Sequence, residues 1–248
     1  MSRAPKAYKN LEFINSVQAR SLRILSEYME PEKRFNEKNI KHTVVFFGSA
    51  RINTARNERK ELQKYYTAAE ELSYKLSMWS HELAKGGENF AICTGGGPGI
   101  MEAANKGAQR ANSFSIGLNI SIPREQIPNA FITPELNFEF HYFFMRKLWF
   151  LFYAKALIVF PGGYGTLDEL FEALTLVQNG KIIRNSLVIL LYDKKFWEKI
   201  INFKKLIEQK FISPGDVQLF HYFSSPDEGF AYLQPRLTKI MQRSNNKF

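Results

Sequence analysis

Short runs of apolar residues recur through the middle of the chain, and each is followed by a stretch with helical periodicity. The runs are apolar at nearly every position, as expected for strands that helices cover on both faces. Repeated alternation of strand and helix predicts an α/β fold with a doubly wound parallel sheet. The predicted strands are His42–Gly48, Asn89–Thr94, Phe114–Ile120, Ala156–Phe160 and Leu187–Leu191.

Segments with apolar residues three or four positions apart predict helices between the strands. These helices cover Arg56–Lys85, Met101–Asn112 and Leu167–Asn179. Residues 1–38 have the pattern of one amphipathic helix that breaks at Pro31, because proline interrupts helical hydrogen bonding.

The same reading predicts a single domain over residues 1–248 with extra helices at both ends. Two C-terminal helices are expected around a loop at residues 213–215. The predicted parts are an accessory N-terminal region at 1–41, a nucleotide-binding and catalytic core at 42–192 and C-terminal helices at 193–248.

The composition is that of a globular protein, since 45% of the 248 residues are hydrophobic and 23% are charged. The single Cys93 can form no intrachain disulfide, and the four scattered histidines lack the paired spacing of a zinc site. We therefore expect no metal site and a reducing, cytoplasmic location. The most apolar window, Phe143–Phe160, contains Arg146, Lys147 and Lys155, so no membrane span is predicted.

The net charge of +10 raises nucleic acid as a partner. The excess divides into +4 for residues 1–41, +2 for residues 42–192 and +4 for residues 193–248. No segment contains a run of five or six basic residues, so solvated helix surfaces explain the charge better than a nucleic-acid interface does. A nucleic-acid partner is therefore kept only as the lesser alternative.

Two glycine-rich segments each follow a predicted strand and open a predicted helix. The first glycine segment is T-G-G-G-P-G-I-M-E at residues 94–102, and the second glycine segment is P-G-G-Y-G-T-L-D-E at residues 161–169. Helix N-termini leave backbone N–H groups unpaired, and glycine lets a phosphate approach them closely. Glycine also serves ordinary tight turns, but two such segments at the carboxyl ends of strands in one sheet favour a phosphate-binding cleft.

Neither segment matches a dinucleotide-binding motif. Ile100 and Asp168 stand where G-x-G-x-x-G requires its third glycine. The chain also lacks the P-loop motif G-x-x-x-x-G-K-[ST] and the G-x-S-x-G turn of serine hydrolases. Dinucleotide binding, P-loop ATP hydrolysis and serine hydrolase chemistry are therefore not expected.

Two charged pairs are candidates for chemistry beside the glycine segments. Arg146 and Lys147 begin the helix before the fourth predicted strand, where an arginine can reach the same edge of the sheet and bind phosphate. Asp168 and Glu169 lie near the start of the following helix. Neighbouring carboxylates on a helix point in different directions, so one can face a cleft while the other faces out. A surface Arg–Lys pair and plain stabilisation of the helix dipole are the alternatives.

Taken together, the two glycine segments and the M-R-K triplet at residues 145–147 resemble the Lonely Guy (LOG) family, phosphoribohydrolases that activate cytokinins and were formerly labelled lysine decarboxylases. The similarity covers residues 42–192. The resemblance implies a Rossmann-like fold, usually a homodimer, and no cofactor. It implies hydrolysis of the N-glycosidic bond of a purine nucleoside 5′-monophosphate, such as AMP or a cytokinin nucleotide, to free base and ribose 5-phosphate.

The resemblance also implies functional residues. The family's catalytic arginine corresponds to Arg146 and its catalytic glutamate to Glu169, which would stabilise a ribosyl cation and activate water as in inverting glycosidases. The expected role of Arg146 is to hold the 5′-phosphate or to orient Glu169. The predicted substrate- and phosphate-binding residues are Gly48, Ser49, Gly96, Gly97, Gly99, Met101, Glu125, Lys147, Gly162, Gly163, Tyr164, Gly165, Thr166, Asp168 and Thr175.

The chain departs from the family pattern in two places. Asp168 stands where relatives commonly have glutamate, and apolar and aromatic residues precede Arg146 where relatives often read M-H-E. Cytokinin specificity is therefore not assumed. Two other functions stay open for this fold: a nucleotide or cofactor carrier without turnover, and a DNA-processing protein that uses its basic flanks. A lysine decarboxylase is not expected, because it needs a Schiff-base lysine on its own cofactor scaffold.

Overall fold

The computed structural model describes residues 3–52, 60–122 and 127–245. Within them, one parallel sheet of seven strands has the order β4-β3-β2-β1-β5-β6-β7. The strands are β1 (Thr43–Phe47), β2 (Ala91–Thr94), β3 (Ser115–Ile120), β4 (Asn137–Phe140), β5 (Ala154–Val159), β6 (Val188–Tyr192) and β7 (His221–Phe223). The helices are α1 (Leu11–Asn15), α2 (Arg20–Glu37), α3 (Lys60–Ala84), α4 (Ile100–Arg110), α5 (Phe143–Phe152), α6 (Tyr164–Gln178), α7 (Lys194–Ile200), α8 (Phe203–Glu208) and α9 (Pro226–Asn245).

Helices cover the sheet on both faces because its central strands are apolar on both. Val44 and Phe46 of β1 pack on one face against α3, α4 and α9. Val45 and Phe47 point to the other face and join the core formed with α2, α5, α6 and α7. The predicted doubly wound α/β fold is confirmed.

The sheet changes its direction of growth between β1 and β5. From β1 the chain adds β2, β3 and β4 on one side, and it then returns to place β5, β6 and β7 on the other. The connections that follow β1 and β5 leave the sheet in opposite directions, so a crevice opens at the carboxyl ends of these two neighbouring strands.

All five predicted strands are present within two residues of the expected bounds. Two edge strands, β4 and β7, were missed. Exposed and buried residues alternate in β4, and β7 has only three residues, so neither gives the continuous apolar run of a strand covered on both faces.

The predicted N-terminal helix was wrong in detail. A short 3-10 turn at Ala7–Lys9 and helix α1 come first, and α2 then runs unbroken through Pro31. Proline has no N–H, so the carbonyl of Glu27, four residues earlier, has no partner within the helix. The indole N–H of Trp149 donates to that carbonyl at 2.9 Å, which satisfies it and lets the helix continue.

The C-terminal prediction of two helices was also incomplete. Residues after 192 form α7, α8 and α9 together with the edge strand β7. Among the described helices, none combines the length and the apolar character needed to span a membrane.

Candidate active site

A cleft of about 650 Å³ lies at the carboxyl ends of β1 and β5. Another cavity, of about 510 Å³, lies beside α9 and the start of β6 and contains none of the predicted site residues. The predicted residues that line the cleft are Gly48, Ser49, Met101, Arg146, Gly162, Gly163, Tyr164, Gly165, Thr166 and Glu169.

The backbone of Ser49 holds three loops together at the base of this cleft. Its N–H donates to the carbonyl of Pro161 at 3.1 Å, which ties the loop after β1 to the loop after β5. Its carbonyl accepts the N–H of Ile100 at 3.2 Å, which adds the first turn of α4. Its hydroxyl accepts the N–H of Arg51 at 3.1 Å and fixes the turn that follows β1.

The second glycine segment presents free backbone donors to the cleft. Gly163 is the N-cap of α6, and no side chain caps this helix. The N–H groups of Tyr164, Gly165 and Thr166 therefore have no acceptor within the helix. A Cβ added at Gly163 or Gly165 would meet no protein atom within 4 Å. Open space in front of unpaired N–H groups at a helix N-terminus is the arrangement that binds phosphate.

The middle of the first glycine segment is bound instead by the protein's own polar groups, whereas Gly95 and Met101 line the cleft. The side-chain amide of Asn129 donates at 3.0 Å to the carbonyls of both Gly96 and Gly97, and the Gly96 N–H donates to the Thr94 hydroxyl at 3.0 Å. The Thr94 hydroxyl donates in turn to the side chain of Asn105 at 2.7 Å. Gly96, Gly97 and Gly99 were expected to bind substrate, but they do not line the cleft.

Glu169 is the buried carboxylate of the site, with 5% of its surface exposed. Burial disfavours the charged form and raises its pKa to about 7, although the positive charges of Lys147 and Arg146 act in the opposite direction. The Lys147 ammonium lies 3.9 Å from one of its oxygens. A carboxyl group that titrates near neutral pH is suited to general acid or base catalysis.

Arg146 enters the cleft from α5. Its guanidinium lies over the rings of Phe143 and Phe150, 4.8 and 5.5 Å from their centroids. Burial lowers its pKa and the charge of Glu169 opposes that shift, while an arginine in a protein keeps its proton. Among the described residues, its Nε has no hydrogen-bond partner. The cleft wall therefore carries a cation whose hydrogen-bonding capacity is not used up within the chain.

The carboxylate next to Glu169 faces outward, as its position on the helix predicts. Asp168 has a half-exposed side chain and pairs with Lys147 at 2.9 Å. Lys147 also pairs with Glu172 at 2.8 Å and does not line the cleft. Lys147 and Asp168 thus form an ion-pair cluster behind Glu169, away from the position expected for substrate.

The remaining predicted residues lie apart from the cleft or outside the described chain. Thr175 is exposed on α6, and its hydroxyl donates to the carbonyl of Phe171 at 2.7 Å, within the same helix. Glu125 lies outside the described residues. Tyr164 stands at the mouth of the cleft with 93% of its surface exposed.

Sequence reasoning missed several residues that line the cleft. Arg51 brings a second cation, and Phe150 and Ile120 form an apolar wall together with Phe143. Arg51 follows β1 by only four residues, so the rule that ligands bind at the carboxyl ends of the strands would have found it. Phe143 belongs to an aromatic stretch that fits the lining of a base pocket, although such a stretch more often forms a core or a dimer interface. Nothing in the sequence singled out Phe150 or Ile120.

Comparison with known proteins gives both sequence and fold relatives. Residues 101–233 match the sequence family described as "Possible lysine decarboxylase". A cytokinin riboside 5′-monophosphate phosphoribohydrolase of Arabidopsis thaliana is 31% identical over 190 residues, which are 75% of this chain and 76% of the plant protein. A probable cytokinin riboside 5′-monophosphate phosphoribohydrolase of Oryza sativa subsp. japonica is 29% identical over 190 residues, covering 72% of this chain and 76% of its own length.

A solved structure shares the fold at lower sequence identity. The molybdenum cofactor binding protein of Rippkaea orientalis has a TM-score of 0.52 and 17% identity, and the match covers 79% of this chain and 98% of that one. At this identity the likeness extends to the fold alone.

Proposed function

This chain belongs to the LOG family, and from that premise we propose that it hydrolyses the N-glycosidic bond of a purine nucleoside 5′-monophosphate. The products are the free base and ribose 5-phosphate. The observation that best supports this proposal is the placement of Glu169, buried and with a pKa raised to about 7, in the same cleft as the uncapped N-terminus of α6.

Glu169 supplies the reacting group in this proposal. The bond between C1′ and the base nitrogen breaks, and its electron pair leaves with the base. Ionised Glu169 stabilises the ribosyl cation that remains and accepts a proton from the attacking water, whose oxygen bonds to C1′. The departed base takes up one proton, directly from Glu169 or through solvent, which leaves the base neutral and Glu169 ionised again. Arg146 lies near Glu169 and favours the ionised form, since its charge lowers the pKa of that carboxyl group. Of its two expected roles, we assign it the orientation of Glu169.

The 5′-phosphate is proposed to bind the N–H groups that open α6 together with the guanidinium of Arg51. Both border the cleft, and Ser49 ties their loops together. A phosphate held there uses binding energy from a part of the substrate that does not react to place C1′ near Glu169.

A product assay tests the proposed reaction. Wild-type protein incubated with AMP, other purine nucleoside monophosphates and isopentenyladenosine monophosphate should release free base, which chromatography detects. Binding of AMP with no release of base would instead identify a nucleotide carrier. The family description "Possible lysine decarboxylase" does not fit this cleft, because none of the described residues that line it is a lysine.

A comparison of AMP with adenosine tests the phosphate site. For Arg51→Ala we expect kcat/KM to fall about 10- to 100-fold with AMP, since a hydrogen bond to a charged group is lost. With adenosine, kcat/KM should stay unchanged. Arg110→Ala is the matched control, because Arg110 is exposed on α4 and pairs with Glu70. An equal loss with both substrates would contradict the role of Arg51.

We also propose a homodimer, as family membership implies, and a location in the reducing cytoplasm, which the single Cys93 favours. Phe144, Leu148 and Phe152 support the dimer, because they form an apolar stripe along α5 with exposed fractions of 54%, 38% and 54%. Light scattering after size-exclusion chromatography should give twice the mass of the chain. A monomer at micromolar concentration would contradict the dimer.

A further inference from the structure

One residue of the N-terminal helix α2 contacts α5, the helix that carries Arg146, at two places. The carboxylate of Glu27 accepts the backbone N–H of His141 at 2.8 Å and that of Tyr142 at 3.2 Å, one on each oxygen. The carbonyl of Glu27 accepts the indole N–H of Trp149 at 2.9 Å. Glu27 therefore binds α5 at its start and again near its middle.

The carboxylate contact binds the N-cap residue, and the residue before it, of a helix that has no side-chain cap of its own. Tyr142 is the N-cap residue of α5 and makes no side-chain capping bond. Backbone N–H groups at such an end need acceptors, and the helix dipole favours a negative charge there. Glu27 supplies both from a position 114 residues before His141 in the chain.

The carbonyl contact depends on Pro31. A residue with an N–H at this position would donate to the Glu27 carbonyl within α2. Proline cannot, so the carbonyl is left for Trp149, whose side chain is fully buried between the helices and the sheet. Pro31 in the middle of α2 thus leaves free the Glu27 carbonyl that forms the second contact with α5.

The position of Arg146 follows from the position of α5. The cap formed by Glu27 lies about one turn before Arg146. The rings under the guanidinium, those of Phe143 and Phe150, belong to α5 itself. No ion pair or side-chain hydrogen bond from Arg146 to another described residue fixes the guanidinium independently. A shift at the start of α5 therefore moves Arg146 relative to Glu169 on α6.

We propose that Glu27 is a positioning residue, which fixes the first turn of α5 and thereby holds Arg146 in place beside Glu169. The kinetic part of this inference rests on the function proposed above. Helix α2 then belongs to the scaffold of the active site and is not a mere appendage of the core.

Kinetics of three variants with AMP test this role. Glu27→Ala should lower kcat about 10- to 100-fold, as a small misplacement of a catalytic group does. KM should change less than about threefold, since the proposed phosphate contacts lie on α6 and Arg51. Glu27→Gln keeps one acceptor oxygen for α5 and should give an intermediate kcat. Glu37→Ala is the control, because Glu37 is exposed on the same helix and pairs only with Lys33 in the described chain, at 3.4 Å.

Hydrogen exchange of the backbone amides at residues 141–146 gives a readout that needs no turnover. These amides should exchange faster in Glu27→Ala than in the wild type or Glu37→Ala, at a temperature where all are folded. If wild-type protein releases no base from any nucleotide, the proposed function fails, and exchange alone then decides whether Glu27 holds α5. Unchanged exchange overturns the inference. Faster exchange in Glu27→Ala with an unchanged kcat also overturns it. A Glu27→Ala variant that gives less folded protein but has a normal kcat per folded molecule overturns it as well.

Discussion

The two glycine segments have similar sequences and lie at the same edge of one sheet, yet their polar groups meet different partners. Each is nine residues long, follows a strand and ends in glutamate: Glu102 in the first and Glu169 in the second. Glu102 accepts the hydroxyl of Tyr66 at 2.9 Å, whereas Glu169 faces the cleft. Neither α4 nor α6 has a side-chain cap at its N-terminus. In the first segment, however, Asn129 binds the loop carbonyls and the carbonyl of Ser49 accepts the N–H of Ile100, the first residue of α4.

The difference shows that a glycine-rich turn does not by itself identify a ligand site. Gly96 and Gly99 have left-handed backbone conformations, with φ of +76° and +73°, and a Cβ at either position would collide with neighbouring protein atoms. Glycine at residues 163 and 165 leaves open space. Residues 96–99 of the first segment are thus held by contacts within the protein, although Gly95 and Met101 at its ends line the cleft, and we propose that the second segment binds the phosphate.

The largest effect should come from the two glutamates that end the segments. Glu169→Gln should lower kcat for base release about 10²- to 10⁴-fold, because a catalytic acid or base is lost. Glu102→Gln keeps an acceptor for Tyr66 and should leave kcat within about twofold of the wild type. Steady-state kinetics with AMP checks both. Equal losses in the two variants would break the distinction between the segments.

The next effect concerns stability. A Cβ at Gly99 would collide with the carbonyl oxygen of Ser49, in a backbone conformation that other residues rarely adopt. Gly99→Ala should therefore lower the free energy of unfolding by about 2–4 kcal/mol. Urea denaturation measures the change. An unchanged midpoint would show that the first segment is not held as tightly as its contacts indicate.

The pH dependence of kcat/KM should follow Glu169. Its pKa is raised to about 7, and the proposed mechanism needs the ionised form, so the rate should fall about tenfold per pH unit below that value. Because the folded pKa lies above the ordinary value, protonation of Glu169 favours the fold, and this stabilisation is lost as the pH rises from about 4.5 to 7. The free energy of unfolding of Glu169→Gln should lack this pH-dependent contribution. A rate profile flat from pH 5 to 8 would contradict the assignment.

The smallest effect is expected from Gly163→Ala. The added methyl meets no protein atom, so stability should stay within about 0.5 kcal/mol of the wild type. The methyl would stand where phosphate approaches the backbone, so KM for AMP should rise about tenfold through weakened charge-assisted hydrogen bonds. Calorimetry and kinetics together check this. A loss of stability without a change in KM would place Gly163 with the structural glycines.

The sequence was informative where the physical signal is local. Continuous apolar runs revealed the five inner strands, and the helix-opening position of the second segment, with the family resemblance, pointed to Glu169. The carbonyls of the first segment are bound by Asn129, which is 33 residues from Gly96 in the chain, so no local sequence pattern predicts this contact. The passage of α2 through Pro31 likewise depends on a distant donor, Trp149. Arg51 belongs to no recognisable motif, and only the fold shows that it lines the cleft.

A crystal structure of the Glu169→Gln variant with AMP tests the central distinction most directly, because substrate persists when turnover is slow. We expect the phosphate oxygens at hydrogen-bond distance, about 2.7–3.2 Å, from the N–H groups of Tyr164 and Gly165, with the side chain of residue 169 facing C1′. Phosphate bound instead to the first glycine segment, with the second segment empty, would contradict the account.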